Sequence, residues 1–235
     1  MTKKERKNRW QPAIDYRKLR LHNLTGNEFK HLLLLLYWPV YGLLFMFVER
    51  FYAVDHYTAM YCRLDDLIPF CEWFVIPYLF WFVYMIGMIL YTLLYDIDAF
   101  RYMMRFIIIT YSITIAIYLI WPTCQNLRPA AFERDNLLTR FMAQFYQFDT
   151  NTNVCPSIHV LGTMAVLLTS YHCRSTSTPG WKIAFTVAAV LICASTVFLK
   201  QHSILDVAAA FVLCPVPSIA AALARGKRRQ CAGNS

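Results

Sequence analysis

The chain has 235 residues, of which 58% are hydrophobic and 16% charged, with a mean hydropathy of +0.39. That balance excludes an ordinary soluble domain and points to a membrane protein. The formal net charge is +9, but no zinc-finger spacing, RNA-binding signature or aromatic-interleaved basic groove accompanies it, so nucleic acid is not an expected partner.

Nine of the 23 Lys and Arg fall in residues 1–31, a segment that also spreads Trp10, Ile14, Leu19, Leu21, Leu24 and Phe29 among the charges. This reads as an interfacial amphipathic helix or a partly disordered tail, its charges suited to anionic headgroups. Thr25 and Glu28 have the spacing of a capping box in front of the first apolar run. His22, His31, His56 and His172 belong to no constellation and are expected at the surface.

Six apolar segments follow, over residues 31–49, 72–94, 104–121, 156–172, 181–199 and 203–223. At ~1.5 Å per residue most of them approach or exceed the ~30 Å hydrocarbon core. The expected fold is therefore all-α, a polytopic six-helix membrane domain over 32–223 with a basic tail over 224–235. The eight cysteines contain no C-x-x-C pair and no regular spacing, so no disulfide framework is expected.

Charge placement orients the spans. With both termini in the cytoplasm, 17 of the 23 Lys and Arg lie on the cytoplasmic side, and nine of the 14 Asp and Glu on the other. That is the positive-inside pattern of a multi-pass cell-membrane protein. Two long connections, 50–71 and 122–155, then lie outside, and connections of such length are usually functional. Arg128, Ser157, His159, Lys200, His202 and Asp206 all reach this same outer face. His202 and Asp206, four apart, share one helix face. Pro156-Ser157 reads as a helix start, and a helix N-terminus attracts anions such as phosphate.

At these residues the chain resembles the type 2 phosphatidic acid phosphatase superfamily, whose three blocks are K-x6-R-P, P-S-G-H and S-R-x5-H-x3-D. Here they read Trp121-x6-Arg128-Pro129, Pro156-Ser157-Ile158-His159 and Ser195-Thr196-x5-His202-x3-Asp206. Trp121, Ile158 and Thr196 stand where the family has Lys, Gly and Arg. The run from Asp149 to His159, with Lys200-Gln201-His202, is similar to a divergent branch containing inositol phosphorylceramide synthases and, more distantly, sphingomyelin synthases.

The resemblance implies a lipid phosphate substrate and phosphoryl transfer without metal or other cofactor. His202 would be the nucleophile, Asp206 its orienting carboxylate, and His159 the acid that protonates the leaving oxygen. Arg128 and Ser157 would hold phosphate oxygens. Lys200, near the nucleophile, is the candidate replacement for the missing Arg, although a lysine snorkelling at the interface fits there too. The leading expectation is a lipid phosphatase that hydrolyses a phosphomonoester or diphosphate at the outer face; headgroup transfer, a metal held by two histidines and a carboxylate, and a non-catalytic transporter or scaffold remain open.

Overall fold

The computed structural model describes residues 11–223 except 53 and 174. The basic cluster over 3–9 and the tail 224–235 lie outside the described residues. The chain is mostly helical. Its principal helices are α1 (Tyr37–Arg50), α2 (Arg63–Leu67), α3 (Val75–Tyr95), α4 (Ile97–Ile120), α5 (Leu137–Phe148), α6 (Ile158–His172), α7 (Pro179–Phe198) and α8 (Ile204–Leu213). A 3-10 segment, Lys30–Leu36, runs directly into α1.

Five helical stretches are long and apolar enough to cross a membrane: Lys30–Arg50, Glu72–Tyr95, Ile97–Ile120, Pro179–Phe198 and Ile204–Leu223. The expected fourth span is the short helix α6. It is the centre of the bundle, packed by α3, α4, α7 and α8. Its Val160, Leu161, Ala165 and Val166 are fully buried. Gly162 lets its neighbours come close, since a Cβ there would stand 2.6 Å from Tyr111 Oη and 3.0 Å from the Trp81 ring.

The outward faces are as apolar as the core. Leu43, Val83, Val187 and Val212 are each more than half exposed. Such surfaces suit hydrocarbon rather than water, and the bundle is a multi-pass membrane protein on that ground. Inside, several buried threonines return their hydroxyls to the preceding turn, as Thr110 does to the Phe106 carbonyl at 2.9 Å and Thr169 to the Ala165 carbonyl at 2.6 Å. This satisfies the polar group without a partner helix.

Helix starts follow their capping residues. Asp96 caps α4 by accepting from the Ala99 N–H at 3.1 Å. One residue therefore suffices between α3 and α4, where the sequence predicts a connection of about ten. Ser157, not Pro156, begins α6 as its N-cap, and Ser203 begins α8 in a reciprocal box with Asp206. The Thr25/Glu28 capping box does not form. That segment is a series of turns, with the Phe29 and Lys30 N–H groups both bonded to the Gly26 carbonyl.

Residues 11–29 are likewise not one amphipathic helix. Short 3-10 turns at Tyr16–Lys18 and Leu21–Asn23 are tied to the end of α3, with Ala13 N–H on the Leu94 carbonyl at 2.8 Å and Tyr16 Oη on the Leu93 carbonyl at 2.6 Å. His31, expected at the surface, is buried there. It faces Phe100 edge-on, and its Nε2 lies 3.1 Å from Tyr16 Oη.

The two long connections meet at the opposite end. β1 (Thr58–Ala59) and β2 (Thr123–Cys124) pair in parallel, Thr58 with Thr123 and Ala59 with Cys124. A bridge from Cys124 to Thr152 adds the strand-like approach to α6. Thr123 Oγ1 then accepts from the Val154 and Cys155 N–H groups at 3.2 and 3.1 Å, which fixes the entry to the central helix.

Candidate active site

The end of α7 shapes the site first. Lys200 lies in the left-handed region, with φ of 51°. Its N–H donates to the Val197 carbonyl and that of Gln201 to the Thr196 carbonyl, both at 3.0 Å. This is a Schellman closure with lysine where glycine is usual. The tight reversal delivers Gln201 and His202 to the bundle end immediately before α8.

His202 Nδ1 lies 3.2 Å from Asp206 Oδ2, and that same oxygen accepts from the Ser203 N–H at 2.9 Å. Asp206 therefore caps α8 and orients the imidazole at once, and it is wholly buried. Its carbonyl also accepts from the Ser157 N–H at 3.2 Å, tying the start of α6 to the start of α8. Cys155 lies against Asp206, and burial and that carboxylate push its thiol up to about 12.

Across from this pair stands His159, in the first turn of α6. Its ring stacks on Tyr78 at 4.5 Å between centroids, meets Trp81 at 4.5 Å, and faces His202 edge-on at 6.1 Å. Trp81 Nε1 also donates to the His159 carbonyl at 3.0 Å. Two residues of α3 thus clamp the histidine from its backbone and its ring. His159 and His202 line one cavity of about 260 Å³, together with Glu49, Asp149, Asn153 and several aromatic rings.

The three expected phosphate-binding residues are placed differently. Ser157 is fully buried and its Oγ accepts from the Val160 N–H at 3.4 Å, which is the work of an N-cap. Lys200 directs Nζ to the Asp65 carbonyl at 2.7 Å, and burial lowers its pKa against the opposing pull of Asp65 and Asp66. Neither lines the cavity.

Arg128 stands one layer behind. Its Nη1 donates to the Tyr146 carbonyl at 2.9 Å, and its Nη2 to the Thr150 carbonyl at 2.9 Å and to Gln201 Oε1 at 2.6 Å. The guanidinium also sits 4.4 Å over the Tyr146 ring. Burial lowers its pKa, with Asp149 the largest opposing influence. Gln201 passes the connection on, since its Nε2 donates to Asp149 Oδ2 at 3.2 Å, where Tyr78 Oη also donates at 3.4 Å. Arg128 thus bears on the cavity through Gln201 and Asp149.

No protein-family model, curated protein or solved structure matches the chain. Among the described residues no group of three or more His, Cys, Asp or Glu has a metal-binding arrangement. What the cavity offers is two imidazoles, one of them held by a carboxylate, which is the equipment for nucleophilic and acid–base chemistry.

Several residues of the site escape a sequence reading. Tyr78 and Trp81 are lost among the many aromatics of an apolar run, and only their packing on His159 singles them out. Glu49, by contrast, is an acidic residue at the end of the first span. An ionisable group in that position is a functional candidate on physical grounds alone.

Proposed function

We propose that this protein is a membrane-embedded hydrolase of lipid phosphate esters, working through a phosphohistidine at His202. The observation that carries this reading is the pair of imidazoles lining one cavity, with Asp206 engaging Nδ1 of one of them. The Nδ1 contact leaves Nε2 of His202 as the attacking nitrogen.

In the first step the Nε2 lone pair forms the N–P bond while the P–O bond to the lipid breaks. The departing oxygen takes its proton from His159. Asp206 stabilises the positive imidazole that results. In the second step water gives a proton to His159, its oxygen attacks phosphorus, and the N–P bond breaks with its electrons returning to His202. The proposed arrangement is a six-helix bundle of the type 2 phosphatidic acid phosphatase kind, with α6, fourth in chain order, added to the five long spans as the central membrane helix. Both termini are placed in the cytoplasm and the cavity at the outer face, in accord with the charge distribution.

Transfer of the phospho-headgroup to a second lipid is the other reading. The apolar wall formed by Phe45, Phe82, Phe145 and Phe148 favours it, because an acceptor alcohol carrying an alkyl chain is accommodated there as readily as water. Purified protein presented with a lipid panel separates the two by release of the phosphate or phosphorylated headgroup into water against its exchange onto a second lipid. Both activities disappear in His202→Ala under this proposal, and either one persisting in that variant overturns it.

A further inference from the structure

Besides the two histidines, the cavity lining carries an unusual set of polar groups. Glu49 accepts from Asn153 Nδ2 at 2.7 Å, from Thr150 Oγ1, and from Thr152 Oγ1 at 3.5 Å. All three donors are neutral, and among the described residues no salt bridge reaches this carboxylate. Two residues that line the cavity each carry a buried polar atom with no partner, Asn153 Oδ1 and Tyr41 Oη. Their residues are only 5% and 8% exposed, so solvent does not readily supply one.

Unpartnered polar groups are costly in a dry interior and usually mark a place completed by something else. Here the carboxylate and the amide oxygen only accept, and the phenol both accepts and donates. The complementary ligand therefore brings several N–H or O–H donors. Among the described residues no Lys or Arg lines the cavity, and Asp149 adds a second carboxylate. A bare phosphate dianion would meet two carboxylates against two imidazoles, with Arg128 held behind Asp149 by Gln201, whereas a headgroup carrying its own positive charge offsets the carboxylates. Tyr41, Trp81 and Tyr118 also line the cavity, and aromatic rings are the side chains that attract cations.

We infer that Glu49, Asn153 and Tyr41 form a subsite for a primary ammonium group, and that the substrate is an aminoalkyl phosphate ester of a lipid, of the ethanolamine type. This rests on the proposed reaction at His202 for where the phosphate lies, between the histidines and the ammonium site. A quaternary ammonium has the charge but no N–H for Asn153 Oδ1. A polyol headgroup has the donors but not the charge.

Binding tests the subsite apart from turnover. Full-length His202→Ala protein in detergent is titrated with O-phosphoethanolamine, O-phosphocholine, inositol phosphate and inorganic phosphate, with thermal stabilisation as the readout. The subsite requires O-phosphoethanolamine to bind most tightly, with Glu49→Gln weakening it roughly tenfold or more, as expected for loss of a charge-assisted contact. Glu49→Gln also disturbs three internal hydrogen bonds, so Tyr41→Phe serves as the second variant. It removes an oxygen with no internal partner and is expected to fold while weakening O-phosphoethanolamine about threefold to tenfold.

Equal binding of the four probes, tighter binding of inositol phosphate or O-phosphocholine, or an affinity for O-phosphoethanolamine unchanged in both variants overturns the subsite. Wild-type turnover on phosphatidylethanolamine and phosphatidic acid is measured in parallel. Selective binding without turnover of either lipid keeps the subsite and removes the proposed reaction. Turnover without selectivity for the amine removes the subsite and keeps the reaction.

Discussion

Ser203 Oγ donates to Asp65 Oδ2 at 2.6 Å across 138 residues of sequence. Asp65 also accepts from the Ile204 N–H at 2.8 Å and from the Cys62 N–H at 2.8 Å, and it is almost fully buried. A carboxylate of the first long connection therefore supplies a hydrogen-bonded anchor to the start of α8, next to the His202–Asp206 pair. The connection 50–71 holds the proposed nucleophile in place without touching it.

Replacing Asp65 by Ala leaves two backbone N–H groups and a serine hydroxyl unpaired in a buried position. The expected cost is on the order of 3 kcal/mol in stability, with activity falling as α8 loses its fixed start. Ser203→Ala removes fewer bonds and should fall between wild type and Asp65→Ala. Thermal unfolding in detergent, with turnover on the same samples, gives the ordering. Asp65→Ala with unchanged stability would mean that the anchor is unimportant.

Lys200 acts on structure. Its Nζ bond to the Asp65 carbonyl supports the same anchor, and its left-handed backbone closes α7. Lys200→Met should lower stability by about 1–3 kcal/mol while leaving the KM for a lipid phosphate unchanged, because the ammonium does not line the cavity. A large rise in KM with unaltered stability would return Lys200 to the phosphate-binding role expected from its place in the sequence.

Asp149 makes stability depend on pH in a defined sense. Burial raises its carboxyl pKa, and His202, Arg128 and the Tyr78 hydroxyl only partly oppose that. The folded protein then keeps this proton at pH values where the unfolded chain has lost it. Its contribution to stability is accordingly present at acid pH and lost as pH rises from the ordinary carboxylate value, about 3.9, through the raised value of the folded state. Asp149→Asn should flatten that part of the stability–pH profile, which chemical unfolding across the acid range measures. An identical slope in the variant would place the titration elsewhere.

The sequence was most informative where physical chemistry leaves little choice. Apolar runs of membrane length identify the spanning helices, and the four-residue spacing of His202 and Asp206 anticipates their contact. The convergence of both histidines at one end follows from alternating the spans, and they line one cavity. The cation shell was not legible. Lys200, Ser157 and Arg128 have suitable chemistry and suitable positions along the chain, but their side chains are taken by carbonyls, an N-cap and a glutamine. Sequence spacing places a backbone at one end of a bundle; it does not say which neighbour captures a long side chain. The role of Asp65 was hidden for the same reason, since its partners lie in another connection altogether. The failed capping box at Thr25 is a local matter, where turns around Gly26 compete with the box.

The central claim is a covalent bond between His202 and phosphorus. The direct measurement is rapid quench of purified protein with a lipid labelled in its phosphate, followed by peptide mass spectrometry under alkaline conditions that preserve phosphohistidine. Label is expected on His202 in wild type, none in His202→Ala, and accumulated label in His159→Ala when the substrate has a leaving group that needs no protonation. Turnover of that substrate in His202→Ala, or label on another residue of the wild-type protein with none on His202, would contradict it.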